Sequence, residues 1–138
     1  MSYSGFLLKI GSWEFPKKYI SADSYSAYVN MQDLDAWTDE NGYVHREPVD
    51  LKAFKVEFET KNMLTDKVFS EIMKNIRNNY VSEQGRTCYV TAYIPEYNDY
   101  VTQLAYMPDI TPKMYIATDD YIKYNPVRFA FIGGVADD

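Results

Sequence analysis

The sequence predicts a mainly β fold: an antiparallel β-sandwich or barrel with one packed α-helix and a protruding β-hairpin arm. Three observations lead there. Apolar and polar residues alternate with period two in several separate runs, the mark of strands with one covered face. Only residues 64–80 place apolar side chains at helical spacing. Strand-like runs stand on both sides of that helix without βαβα alternation, which puts one helix on antiparallel sheets. The 138 residues suit one domain. Its expected extent is 1–132, with a flexible tail over 133–138.

The first strand is the short apolar run 6–10, closed by Gly11. Trp13-Glu14-Phe15 alternates before Pro16 and reads as a second short strand after a Gly11-Ser12 turn. Over 24–37, Tyr25, Ala27, Val29 and Met31 alternate with Ser26, Tyr28, Asn30 and Gln32, giving a strand. Asp39-Glu40-Asn41-Gly42 follows. Asn-Gly predicts a type I′ hairpin turn, which needs positive φ at both central residues. The chain returns through Tyr43 and Val44, so residues 33–46 form an arm with an acidic, aromatic tip. Over 49–60, Phe54, Val56 and Phe58 point one way and Lys55, Glu57 and Glu59 the other.

The helix has Thr65 as N-cap, Asp66 at the positive end of its dipole and a Leu64–Phe69 hydrophobic staple. Val68, Phe69, Ile72, Met73 and Ile76 form its apolar stripe, and Asn79 or Gly85 marks its exit. Cys88, Val90, Ala92 and Ile94 then alternate with Tyr89, Thr91 and Tyr93. A turn over 95–99 and a strand over 100–107 complete a hairpin. A short strand over 113–117, a turn at 118–120 and a last strand over 121–132 end the fold. Pro126 interrupts that last strand and predicts an edge or bulge there.

Charge and composition exclude function classes. Fourteen Lys and Arg against 20 Asp and Glu give a net charge of −6. That disfavours a phosphate backbone or an anionic membrane surface as partner. No run approaches the roughly 20 apolar residues of a membrane span. The N-terminus lacks signal-peptide features, so cytosolic synthesis is expected. A single cysteine, Cys88, excludes an internal disulfide and a Cys-rich zinc site. It lies on the Val90–Ala92 face and reads as a small core residue.

The lone histidine, His45, reads as a surface residue without chemistry. Asp33, Asp35, Asp39 and Glu40 precede Gly42, but Trp37 stands where a calcium loop needs its third ligand, so a solvated hairpin face is expected. Glu96 with Asp99, and Asp119 with Asp120, sit on turns that favour carboxylates for backbone reasons. No glycine-rich phosphate loop exists. No catalytic, cofactor-binding or metal-ligating residue is assigned, and no cofactor is expected.

The aromatic count stands out: 14 Tyr, 7 Phe and 2 Trp, or 17%. A small core cannot bury that many tyrosines with satisfied hydroxyls, so some face solvent or a partner. Tyr89, Tyr93, Tyr97, Tyr100 and Tyr106 fall on one hairpin. Two readings stay open for the Tyr89–Thr91–Tyr93 face. It is core, with the small residues outward or both faces covered, or it is an interface.

Residues 29–64 hold a Trp-containing acidic arm, an Asn-Gly tip, a Tyr43-Val44-His45-Arg46 return and an alternating strand. The helix TDKVFSEIMKNIRNNY and the two-strand run TCYVTAYIPEYNDYVTQLAY follow. This order, over 29–106, resembles small tail proteins of prophages of Gram-positive bacteria, of the tail-tube and distal-tail type. At 138 residues the chain is shorter than a typical distal-tail protein and is expected to lack its second domain. The resemblance implies a non-enzymatic virion tail component, made in the host cytoplasm. It implies assembly as a ring, often a hexamer in such proteins, around a DNA channel and contact with other tail proteins, without specific nucleic-acid binding. Trp37, Asp39, Glu40, Asn41, Gly42, Tyr43, Tyr89 and Tyr93 are then the expected oligomer interface, and Glu57 and Glu59 the expected channel lining. The alternatives are a carbohydrate- or protein-binding module using exposed Tyr and Trp, and a small hydrolase using Asp/Glu pairs.

Overall fold

A computed structural model describes residues 2–29, 33–48 and 53–136. Twelve strands and one helix are present among them. β1 (Leu8–Ile10) turns at Gly11 into β2 (Trp13–Glu14). Gly11 takes φ +61°, and a Cβ there would fall 2.2 Å from Asn79 Oδ1. The tight turn and the approach of the helix end both require glycine. Two short 3-10 turns lead to β3 (Ser26–Val29). β4 (Asp33–Thr38) and β5 (Val44–Pro48) form the arm, and β6 (Phe54–Glu59) follows. Residues 30–32 and 49–52, part of the runs expected as strands, lie outside the described residues.

The two-residue strand β7 (Leu64–Thr65) leads into α1 (Asp66–Asn78). Thr65 Oγ1 accepts from the Val68 N–H at 3.3 Å, the expected cap. Asn79 is the C-cap. β8 (Thr87–Ile94) and β9 (Asp99–Tyr106) form the longest hairpin. β10 (Met114–Ala117), β11 (Ile122–Tyr124) and β12 (Arg128–Ile132) complete the chain.

Seven strands pair in the order β2-β1-β8-β9-β12-β6-β3, all antiparallel. The sheet curls over, because β3 lies against β8 as well as β6. Tyr25 ties this closure: its hydroxyl donates to the Tyr93 carbonyl at 2.8 Å, with the Leu7 carbonyl at 3.2 Å. The inner face and the helix share one core. Phe54, Val56 and Phe58 meet Phe129 and Phe131 across β6–β12, and Ile72 and Ile76 of α1 close over them. Phe15 stands edge-on to Phe58 at 5.1 Å. Cys88, Val90, Ala92 and Ile94 are all inside. Burial pushes the Cys88 thiol up to about 11, as befits an inert core residue. The fold is the expected β-sandwich with one packed helix.

The run 121–132 departs from expectation. It is two strands in two sheets, not one strand with an edge or bulge. β11 joins a three-stranded sheet β10-β11-β7, while β12 is interior to the large sheet. Pro126 supplies no N–H and stands in the break between them. Asn125 N–H instead donates to the Lys113 carbonyl at 2.9 Å, and Val127 N–H to Thr60 Oγ1 at 2.9 Å. Backbone bonding also runs past Ile132: Gly133 N–H reaches the Phe54 carbonyl and Val135 N–H the Leu104 carbonyl.

Candidate functional site

Three surfaces carry the residues singled out above. The first is the arm. β4 and β5 form their own two-stranded sheet, with Trp37 opposite His45 and Thr38 opposite Val44. The turn corrects the type I′ expectation. Gly42 N–H bonds to the Asp39 carbonyl at 3.0 Å, Asp39 N–H bonds to the Tyr43 carbonyl at 2.9 Å, and only Gly42 takes a positive φ, +88°. Asn41 does not. This is a turn over Glu40-Asn41 followed by a left-handed glycine, the longer hairpin solution. Asp39 holds it by side chain as well, accepting from the N–H groups of Asn41 and Tyr43, each at 3.0 Å.

His45 is more engaged than the sequence suggests. Its ring stacks on Trp37 at 4.1 Å between centroids and 11° between planes. Its Nε2 lies 2.8 Å from Asp39 Oδ2. That bond to His45, then the backbone N–H of Tyr43, hold the Asp39 carboxyl below its ordinary range. A cross-strand stack and a charge-assisted bond thus lock the tip. Trp37, Tyr43 and Val44 remain mostly exposed, and Glu40 points to water. The side chains of Asp33 and Asp35 lie outside the described residues.

The second surface is the outer face of β8–β9. Tyr89 and Tyr106 are exposed on it, while Cys88, Val90 and Ala92 face the core. The reading in which the tyrosine stripe is core and the small residues point outward is therefore overturned. Part of the stripe is structural. Tyr93 packs edge-on to Tyr100 at 5.6 Å and to Tyr3 at 5.5 Å, and its hydroxyl donates to Asn98 Oδ1 at 2.7 Å. The Tyr100 hydroxyl donates to the Phe6 carbonyl and accepts from Ser4 N–H, each at 2.8 Å. Thr91 and Thr102 meet hydroxyl to hydroxyl at 2.7 Å.

The third surface is the outer face of β6 and β12. Glu57 is bound by Arg128 and lies 3.7 Å from Lys55 Nζ. Glu59 is exposed. The expected acidic face thus interleaves acid with base. Beside it opens a groove of about 500 Å³, lined among others by Lys55, Lys113, Asn125 and Arg128.

One strand with no assigned role stands out. Every residue from Thr111 to Tyr121 is exposed, and β10 lies within that run. The sequence shows β10 as a short apolar strand. Its exposure comes from its place as the outer strand of the small sheet, whose β7 and β11 reach the core through Leu64 and Tyr124, and periodicity does not encode that place. Glu96, Asp99, Asp119 and Asp120 line none of the three grooves, which run along Lys55–Arg128, Ser24–Glu59 and Met73–Met107. Among the described residues no group of three metal-ligating side chains converges, and no helix is long and apolar enough to cross a membrane.

Residues 1–134 match the family described as "Family of unknown function (DUF6711)". No curated protein matches the chain. Among solved structures, the chain is similar to one from the tail of an empty gene transfer agent particle, refined with C6 symmetry. The two align with a TM-score of 0.56 at 12% identity, over 98% of this chain and 96% of the other. A chain from the virion of the native gene transfer agent particle aligns with the same values. A chain from the tube-terminating cap of the anti-feeding prophage aligns with a TM-score of 0.45 at 14% identity, over 96% and 89%. At these identities the likeness is one of fold.

Proposed function

The chain belongs to the DUF6711 family, and we propose that this member is a non-enzymatic structural component of a phage or prophage tail. It works by assembling with copies of itself and with other tail proteins. The observation that carries this reading is the fold it shares, end to end, with a chain of a C6-symmetric particle tail. The surfaces support it. The molecule spends its unusual residues on exposed aromatics at a locked hairpin tip and on an outer sheet face, which suits protein interfaces.

The proposed assembly is a ring around a DNA channel, six-fold by analogy with that neighbour. Trp37, Asp39, Glu40, Asn41, Gly42 and Tyr43 of the arm, with Tyr89 and Tyr93 of the outer face, form its contacts. Tyr93 is half-buried and acts by supporting Tyr89's strand. Glu57 and Glu59 belong to the channel side, at the Ser24 end of the β6 face and apart from the Lys55–Lys113 groove at its other end. Glu59 carries most of the effect, because Arg128 and Lys55 neutralise Glu57. An acidic wall lets DNA slide, since like charge removes the counterion-release gain that makes DNA stick. The virion tail is the corresponding location.

Native mass spectrometry and negative-stain microscopy at high protein concentration test this. Rings or short tubes are expected. Deleting residues 39–42 is expected to leave the melting temperature within a few degrees and to abolish those assemblies. Monomers at every concentration, alone and with co-expressed neighbouring gene products, overturn the proposal. Assembly unharmed by the deletion removes the arm from it.

A further inference from the structure

We propose that the hairpin arm of one copy docks along β10 of a second copy, with its acidic tip in the basic groove beside that strand. The proposal rests on the assembly reading above and supplies the arm's receptor. In a strand packed on a core, alternate side chains are covered. In β10 none is: Met114, Tyr115 and Ile116 are 56%, 57% and 41% exposed, and Tyr121, just past the turn, is 40%. Among the described residues β10 is also the outer strand of its sheet, paired on one side only, with a register irregularity between Met114 and Ile116. An apolar outer strand open on both faces is a template for another chain.

Charge names the occupant. Lys113 leads into β10 and lines the groove with Lys55 and Arg128. Glu57 offsets part of this charge. Asp109, also on the wall, is taken by Arg86 at 2.5 Å. Lys113 has no ion pair among the described residues, and the rim is net basic. The arm has the matching composition. Residues 33–46 hold four carboxylates against one arginine, and Glu40 stands exposed at the tip without an ion pair among the described residues. The exposed Trp37, Tyr43 and Val44 supply apolar area for Met114, Tyr115 and Ile116. Opposite charge sets the register and the apolar strand supplies the burial.

The test mixes full-length chains of natural and heavy-nitrogen isotope content, treats them with a carbodiimide and maps the links by mass spectrometry. A Glu40–Lys113 amide joining chains of different isotope content is expected. Glu40→Lys and Lys113→Glu should each weaken self-association about tenfold, the scale of one interfacial charge pair. The double variant should recover it, with circular dichroism confirming that all three fold. Assemblies that form without the mixed-isotope link, and that Lys113→Glu leaves intact, overturn this docking while the assembly reading stands. Links only within one isotope class place the arm on its own chain and also overturn it. A wild-type chain that stays monomeric overturns both.

Discussion

Tyr25, Tyr93 and Tyr100 are buried in part, yet each hydroxyl has a partner. Burial, and then the neighbouring Tyr100, push Tyr25 well above the ordinary tyrosine range. These residues join the N-terminal segment to β8 and β9. Tyr89, Tyr97, Tyr106, Tyr115 and Tyr121 stay exposed. The tyrosine surplus is thus two populations, separated by what lies over each: the N-terminal segment packs on Tyr93 and Tyr100, while Tyr89 and Tyr106 on the same sheet face stay open. His45 is the residue the sequence reads least well. A single imidazole suggests no chemistry, and only strand pairing brings it onto Trp37 and Asp39. Asp39 titrates below its ordinary value in the folded arm, so its contribution is in place above the unfolded carboxylate pKa. It is lost as pH falls through the lowered one, beneath the ordinary carboxylate range. The Trp37 indole resonance should shift over that acid range as the tip loosens. Asp39→Asn should remove the transition and show the loosened position at neutral pH.

At the scale of elements, the helix was the most legible. Its cap, stripe and exit are local, fixed by spacing within α1 and by Thr65 and Asn79. The β8–β9 hairpin was equally clear, because alternation along β8 sets the side that covers Cys88, Val90 and Ala92, and the 95–99 turn brings β9 back beside it. The Pro126 segment was not. Proline forbids a continuous strand, but whether the pieces share a sheet depends on what pairs with each. The β1–β2 turn offers a direct check on element packing. Gly11 combines a positive φ with contact against Asn79, so Gly11→Ala should destabilise the fold by about 1–3 kcal/mol. Chemical denaturation measures it. A change within experimental error would show that the turn relaxes freely.

At the scale of the molecule, the core and the surfaces proposed for assembly are separate. The core is one cluster of phenylalanine and aliphatic side chains between the curled sheet and α1. The arm, β10 and the outer tyrosines lie outside it. Replacing Tyr89 and Tyr106 together by Ser should therefore leave the thermal midpoint within a few degrees, since surface changes cost little. It should lower the assembled fraction in sedimentation velocity. A large loss of stability would instead assign that face to the fold.

The amino-acid pattern carried what local periodicity and capping control. It set the strands that alternate, the single helix, the buried side of each and the excess of aromatics over core. Long-range pairing supplied three further features. It parted β11 from β12, paired His45 with Asp39 across a hairpin, and left β10 open on both faces. These depend on which distant backbone groups satisfy one another. A period of two tells a strand which side to bury, but not which partner will cover it.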